Sequence, residues 1–193
     1  GIRGFDIEKA YEGMLKNALP GGIMSKVGYE HNTNKGGGIE YYIDRGYVPF
    51  PLYDKQYGYH QCGPGVTMEY AYQDWTLSQM AKALNKMSDH KMLQKRASNY
   101  RNIYDSSSGW MRARTLDGNW IEPFDPLVYE NDYKDPLGSG FVEATAAAAT
   151  WFVPHDLGGL ADLMGGREIA ARRLNQSFLI AKQHGFVTHN HRG

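Results

Sequence analysis

The chain is short of several things, and each shortage excludes something. It has one cysteine, Cys62, in 193 residues. An intrachain disulfide framework and a multi-cysteine zinc site are therefore excluded. Neither sign of charge is in excess, because 21 Lys and Arg balance 21 Asp and Glu. A nucleic-acid groove or an anionic membrane face needs a local surplus of basic side chains, so no nucleic-acid partner is expected. No apolar run approaches the roughly 18–20 residues needed to span a bilayer. The apolar–polar alternation of half-buried strands is almost absent, and no repeat of fixed period stands out.

What is present supports a packed, aromatic-rich protein. Hydrophobic residues make up 41% and charged residues 22%, a balance that forms a core rather than a disordered chain. The length fits one domain, or part of a larger one. There are 14 Tyr, 7 Phe, 4 Trp and 23 Gly. Tyr and Trp combine a flat apolar face with a polar edge, which suits either a platform for sugar rings or a core with a wet rim. Composition alone favours the core.

Helical signals dominate the chain. Asp6 is a plausible N-cap for a helix ended by Pro20-Gly21-Gly22. Residues 23–38 read as loop, and Ile39–Arg45 as a short helix capped by Gly46. The clearest 3.6-residue period runs from Thr67 to Asn85. Ser88-Asp89 is expected to cap a second helix over 90–104, and the short link makes the pair antiparallel neighbours. Asp105 to Gly109 is a turn, and 110–140 a long structured loop of the kind that often carries function. Helices follow over 142–152, from His155 or Asp156 to Met164, and over 168–182. The pattern predicts an all-α fold with long loops, as in helical toroids.

Most candidate chemistry has a plainer reading. Lys35-Gly36-Gly37-Gly38 lacks the spacing of a phosphate loop and has no strand before it; it reads as a turn. His184, His189 and His191 lack a partner Cys or carboxylate for a transition metal, and read as a solvated tail. Glu130, Asp132 and Asp135 fall short of the roughly six to eight oxygens calcium takes. Cys62 lies near His60, yet no spacing supports a nucleophile. Glu143 is more informative, because it opens the predicted 142–152 helix. It is either a first-turn Glu favoured by the macrodipole or an acid aimed at the loop end of a toroid. A helix dipole favours an ionised carboxyl, whereas a general acid must hold its proton near neutrality. The catalytic reading therefore requires desolvation, by Phe141 and Trp151 or by a bound substrate.

Several motifs, in order along nearly the whole chain, resemble glycoside hydrolase family 92. They are Gly4-Phe5-Asp6-Ile7-Glu8-Lys9-Ala10-Tyr11, Glu69-Tyr70-Ala71-Tyr72-Gln73-Asp74-Trp75 and Arg96-Ala97-Ser98-Asn99-Tyr100. Gly109-Trp110-Met111-Arg112 and Pro123-Phe124-Asp125-Pro126 follow. Val153-Pro154-His155-Asp156 comes last, with Gly159-Leu160 and Leu163-Met164-Gly165-Gly166 behind it. The resemblance implies a calcium-dependent, inverting, exo-acting α-mannosidase that joins a β-sandwich to an (α/α)6 toroid. It places Glu143 as the catalytic acid, at the head of the segment usually written E-G-N-A-W-Q, which here reads Glu143-Ala144-Thr145-Ala146-Ala147-Ala148. It assigns no calcium ligands here. Residues 1–193 would then be part of an (α/α)6 catalytic domain of a longer chain, without its sandwich. The general base would lie outside this stretch, and the rest of the parent chain would pack against it. The substrate would be a mannose-containing glycan, and the location secreted or periplasmic. Another (α/α)6 glycosidase or lyase, and a non-catalytic carbohydrate-binding half-toroid, remain alternatives.

Overall fold

The computed structural model describes residues 4–26, 37–52, 62–128 and 140–183. These residues are mostly helical, as part of an (α/α)6 toroid requires. Among them no helix is long and apolar enough to cross a membrane.

Helix α1 (Ile7–Asn17) starts where Asp6 Oδ1 accepts the Lys9 N–H at 3.0 Å. Glu8 in its first turn and Lys16 in its last complement the dipole. Tyr11, at 2% exposure, packs with Leu77, Ala81 and Leu93, and its hydroxyl donates to Asp89 Oδ2 at 2.7 Å. A single turn, α2 (Ile23–Lys26), leads on. Helix α3 (Ile39–Arg45) has the predicted bounds, and Gly46 closes it at φ 76°. That backbone is left-handed, which only Gly adopts without cost.

Helix α4 (Gly63–Ala83) begins four residues earlier than the periodicity indicates. Pro64 sits in the first turn, where its missing N–H costs nothing. Residues 84–86 link α4 to α5 (Met87–Arg96), which packs along it. Two expectations fail here. Ser88 and Asp89 lie inside the first turn of α5 rather than capping it, with Lys86 at the N-cap. The helix expected to reach 104 stops at Arg96. The Ser98 hydroxyl donates to Lys95 O at 2.7 Å, offering the backbone a local alternative to the helix, and the chain tightens into a 3₁₀ turn over Asn99–Ile103.

Strands β1 (Tyr104–Asp105) and β2 (Trp110–Met111) pair antiparallel across the predicted turn, with Tyr104 opposite Met111 and Asp105 opposite Trp110. The last helices are α6 (Ala146–Ala149), α7 (Leu157–Leu163) and α8 (Arg167–Gln183). Asp156 caps α7, accepting the Gly159 N–H at 2.9 Å. The main core gathers Met68, Tyr100, Ile103, Met111, Phe141 and Val153 between these elements.

Candidate active site

The segment 140–152 carries the predicted acid, and it is not the helix the sequence implied. Only Ala146–Ala149 are helical. Thr145 takes the N-cap, its Oγ1 accepting the Ala148 N–H at 3.1 Å. Glu143 stands two residues before that cap. It is exposed, with φ +50°. The first-turn role expected of it is therefore overturned, because Thr145 is the better cap and ends the helix there. A left-handed backbone at a residue with a long side chain costs on the order of 1–2 kcal/mol. Such strain persists only where the surroundings over-determine it.

Those surroundings are visible. Gly65 N–H of α4 donates to Gly140 O at 3.3 Å. Gly140 has φ +74°, and a Cβ there would lie 2.9 Å from the Pro64 ring. Phe141, at 2% exposure, belongs to the main core. Beyond Glu143, Pro126 O accepts the Ala147 N–H at 2.9 Å. The Thr150 hydroxyl donates to Ala146 O at 2.7 Å and accepts the Met111 N–H of β2 at 2.9 Å. The exposed acid is thus slung between two buried anchors. Of the residues expected to desolvate it, Phe141 is committed to the core, and Trp151 packs half-buried against the same core.

The motifs around this segment form its frame. Asp74 of α4 binds Arg96 through two bonds, Oδ2 to Nε at 2.7 Å and Oδ1 to Nη2 at 2.8 Å. Tyr42 Oη lies 3.0 Å from the same Oδ2. Burial pushes the Asp74 carboxyl up, and the Arg96 guanidinium and the Tyr42 hydroxyl pull against it. Arg112 reaches Asp105 at 2.9 Å and Glu122 at 2.5 Å. Burial opposes ionisation of Asp105, but the Ser107 hydroxyl, Arg112 and the Ser107 N–H outweigh it and hold the carboxyl at about 2. The Val153-Pro154-His155-Asp156 stretch is structural as well. His155 lies 5.7 to 6.2 Å from the rings of Tyr72, Trp75 and Tyr100. Asp156 Oδ2 accepts from the Tyr100 hydroxyl at 2.7 Å and from Arg101 at 3.1 Å. Gly159 leaves room beside it, since a Cβ would fall 2.0 Å from the Arg101 guanidinium and displace it.

The other candidates do not join Glu143. Gly38 and Cys62 sit at the N-caps of α3 and α4. Lys35, Gly36, His60, Glu130, Asp132, Asp135, His184, His189 and His191 lie outside the described residues. Among the described residues no group of three or more His, Cys, Asp or Glu is placed to hold a metal ion.

Residues 1–192 match the model of the Glycosyl hydrolase family 92 catalytic domain. The chain belongs to glycosyl hydrolase family 92. It is similar to the solved structure of a family GH92 inverting mannosidase from Bacteroides thetaiotaomicron. The two are 32% identical with a TM-score of 0.73, over 91% of this chain and 21% of that one. A family GH92 alpha-mannosidase of the same organism, solved in complex with mannoimidazole, gives 31% identity and a TM-score of 0.72, over 91% of this chain and 20% of that one. An uncharacterized secreted glycosidase of Arthroderma benhamiae is 26% identical, over 88% of this chain and 23% of that protein. The chain thus spans about a fifth of the length of these relatives.

Proposed function

We propose that this chain is part of the catalytic domain of an inverting, exo-acting α-mannosidase, with Glu143 as the general acid. Family membership and the mannosidases among the similar structures support the reaction class. The observation that carries the residue assignment is the left-handed backbone of Glu143, held exposed between buried anchors. Glu143 would protonate the glycosidic oxygen as the bond to the leaving sugar breaks. An inverting mechanism needs a second carboxylate about 6.5–9.5 Å away, with water between. We place that base outside this chain, on the remainder of the parent protein that packs against it. The substrate is a mannose-containing glycan, and the parent protein is secreted or periplasmic. Calcium stays in the proposal through the family alone, with no ligand assigned here and no step routed through it; loss of activity on chelation, restored by added calcium, is its test.

The decisive experiment is Glu143→Gln in the full-length protein, assayed on α-mannosides with a poor leaving group. Turnover should fall about 10²–10⁴-fold, the usual contribution of a positioned acid. A loss smaller than about threefold removes Glu143 from the role. Retained mannose binding by the unmodified protein, with no mannose released, would support instead a carbohydrate-binding half-toroid. The alanine run after Glu143, where the family pattern carries Asn, Trp and Gln, is the feature that favours that second reading.

A further inference from the structure

On α4, residues 65, 69 and 72 share one stripe, spaced i, i+4, i+7. Both ends of that stripe touch the segment that carries Glu143. A Cβ on Gly65 would meet Gly140 O and Phe141 Cα, each at 3.6 Å. The Tyr72 ring meets Phe152 edge-on, with centroids 6.0 Å apart. The segment therefore runs along the stripe, from Gly65 at residues 140–141 to Tyr72 at residue 152. Glu69 stands between the two. It is one helical turn, about 6 Å, from Gly65, and Glu143 is at most about 7 Å of chain from Phe141. Both carboxylates are rooted near the same Gly65–Phe141 contact, and both residues are exposed.

Glu69 also lacks what the other carboxylates of the frame possess. Asp74, Asp105 and Asp156 are each paired with an arginine. Glu69 has no hydrogen-bond or ion-pair partner among the described residues. The protein around it desolvates its carboxyl and pushes it above the usual carboxylate range. An unpaired, partly desolvated carboxylate is unfavourable in the free protein, and donors supplied by a ligand would relieve that. Sugar hydroxyls are such donors.

We infer that Glu69 is a substrate-binding carboxylate of the Glu143 site, accepting hydrogen bonds from hydroxyl groups of a neutral hexopyranoside. The inference rests on the reading of Glu143 as the acid. It also bears on the substrate class, because a carboxylate in that contact disfavours a uronic acid and favours neutral glycans.

Two leaving groups separate the roles in the full-length protein. Glu143→Gln should lose at least about a hundredfold on a mannobiose and retain most activity on 2,4-dinitrophenyl α-mannoside, whose leaving group needs no proton. Glu69→Gln should lower kcat/KM about tenfold or more on both substrates alike, the loss of one substrate contact, with an unchanged Tm. Glu69→Asp, which keeps the charge, should recover part of that loss and covers the case in which Glu69→Gln fails to fold. Glu69→Gln within twofold of the parent on both substrates overturns the inference and leaves Glu143 intact. A loss confined to the mannobiose overturns it too, since that is the signature of an acid. If Glu143→Gln is harmless while Glu69→Gln is not, the acid assignment fails and the Glu69 contact stands.

Discussion

The α4–α5 hairpin and the 140–152 segment touch each other and are built by opposite rules. The hairpin has long helices, a connection of three residues and a fully buried Asp74–Arg96 pair. The segment has four helical residues, side-chain hydroxyls in place of backbone ladders, and an exposed Glu143 in a strained conformation. One region spends its chemistry on holding shape and the other on presenting a group. The contrast shows why the strain is tolerable: Gly65, Pro126 and Met111 hold the segment from three different parts of the chain, and none of them depends on Glu143.

The largest test of that contrast is Asp74→Ala. It leaves the Arg96 guanidinium buried without its partner, which costs about 3–5 kcal/mol. Chemical denaturation of the full-length protein should show that loss, and a change below about 1 kcal/mol would mean the hairpin is not the rigid partner. Thr150→Val keeps the shape but orphans the buried Met111 N–H, at about 1–3 kcal/mol. Because it loosens the sling rather than the hairpin, kcat should fall together with stability; unchanged kcat would show that Thr150 does not position Glu143. Acid gives a third test. Asp105 closes the β1–β2 turn under α6 with its carboxyl held at about 2. A depressed carboxyl stabilises the fold above its unfolded value near 4. That contribution, about 2 kcal/mol at most, is lost as pH falls from about 4 to 2. Asp105→Asn should flatten the acid limb of a stability–pH curve, and an unchanged slope would refute the assignment. The smallest effect belongs to Glu143→Gly. Relief of the left-handed strain and the extra freedom of Gly in the unfolded chain oppose each other, so stability should stay within about 1 kcal/mol of the parent while activity is lost. A larger drop in Tm would show that the Glu143 side chain holds structure.

Local signals were legible and long-range partners were not. Asp6 and Gly46 announce their caps because a cap is decided within four residues. The helix expected over 142–152 misleads because Ala runs favour helix strongly, while the hydrogen bond that binds Ala147 to Pro126 comes from a remote loop. Asp74 and Arg96 lie 22 residues apart, Tyr100 and Asp156 56. Nothing in spacing alone pairs them. The family motifs mark these contacts, so the resemblance speaks mostly of the frame and reaches the chemistry at Glu143. The stripe of Gly65, Glu69 and Tyr72 was not legible, because the period was read only from Thr67 and the stripe's meaning depends on neighbours remote in the chain.

Helix α8 has seventeen residues and none of them is buried. Phe178 and Leu179 are 60% and 53% exposed. It is fastened chiefly through Arg173, which reaches Gly109 O and the Tyr104 hydroxyl and lies 4.9 Å above the Trp110 ring. A helix of this length is marginal without packing. Its backbone amides should therefore trade hydrogen for deuterium through local fraying, far faster than those of α4, whenever nothing covers it. Slow exchange along α8 in the full-length protein would report the energy of its cover directly, residue by residue, without any knowledge of what the cover is.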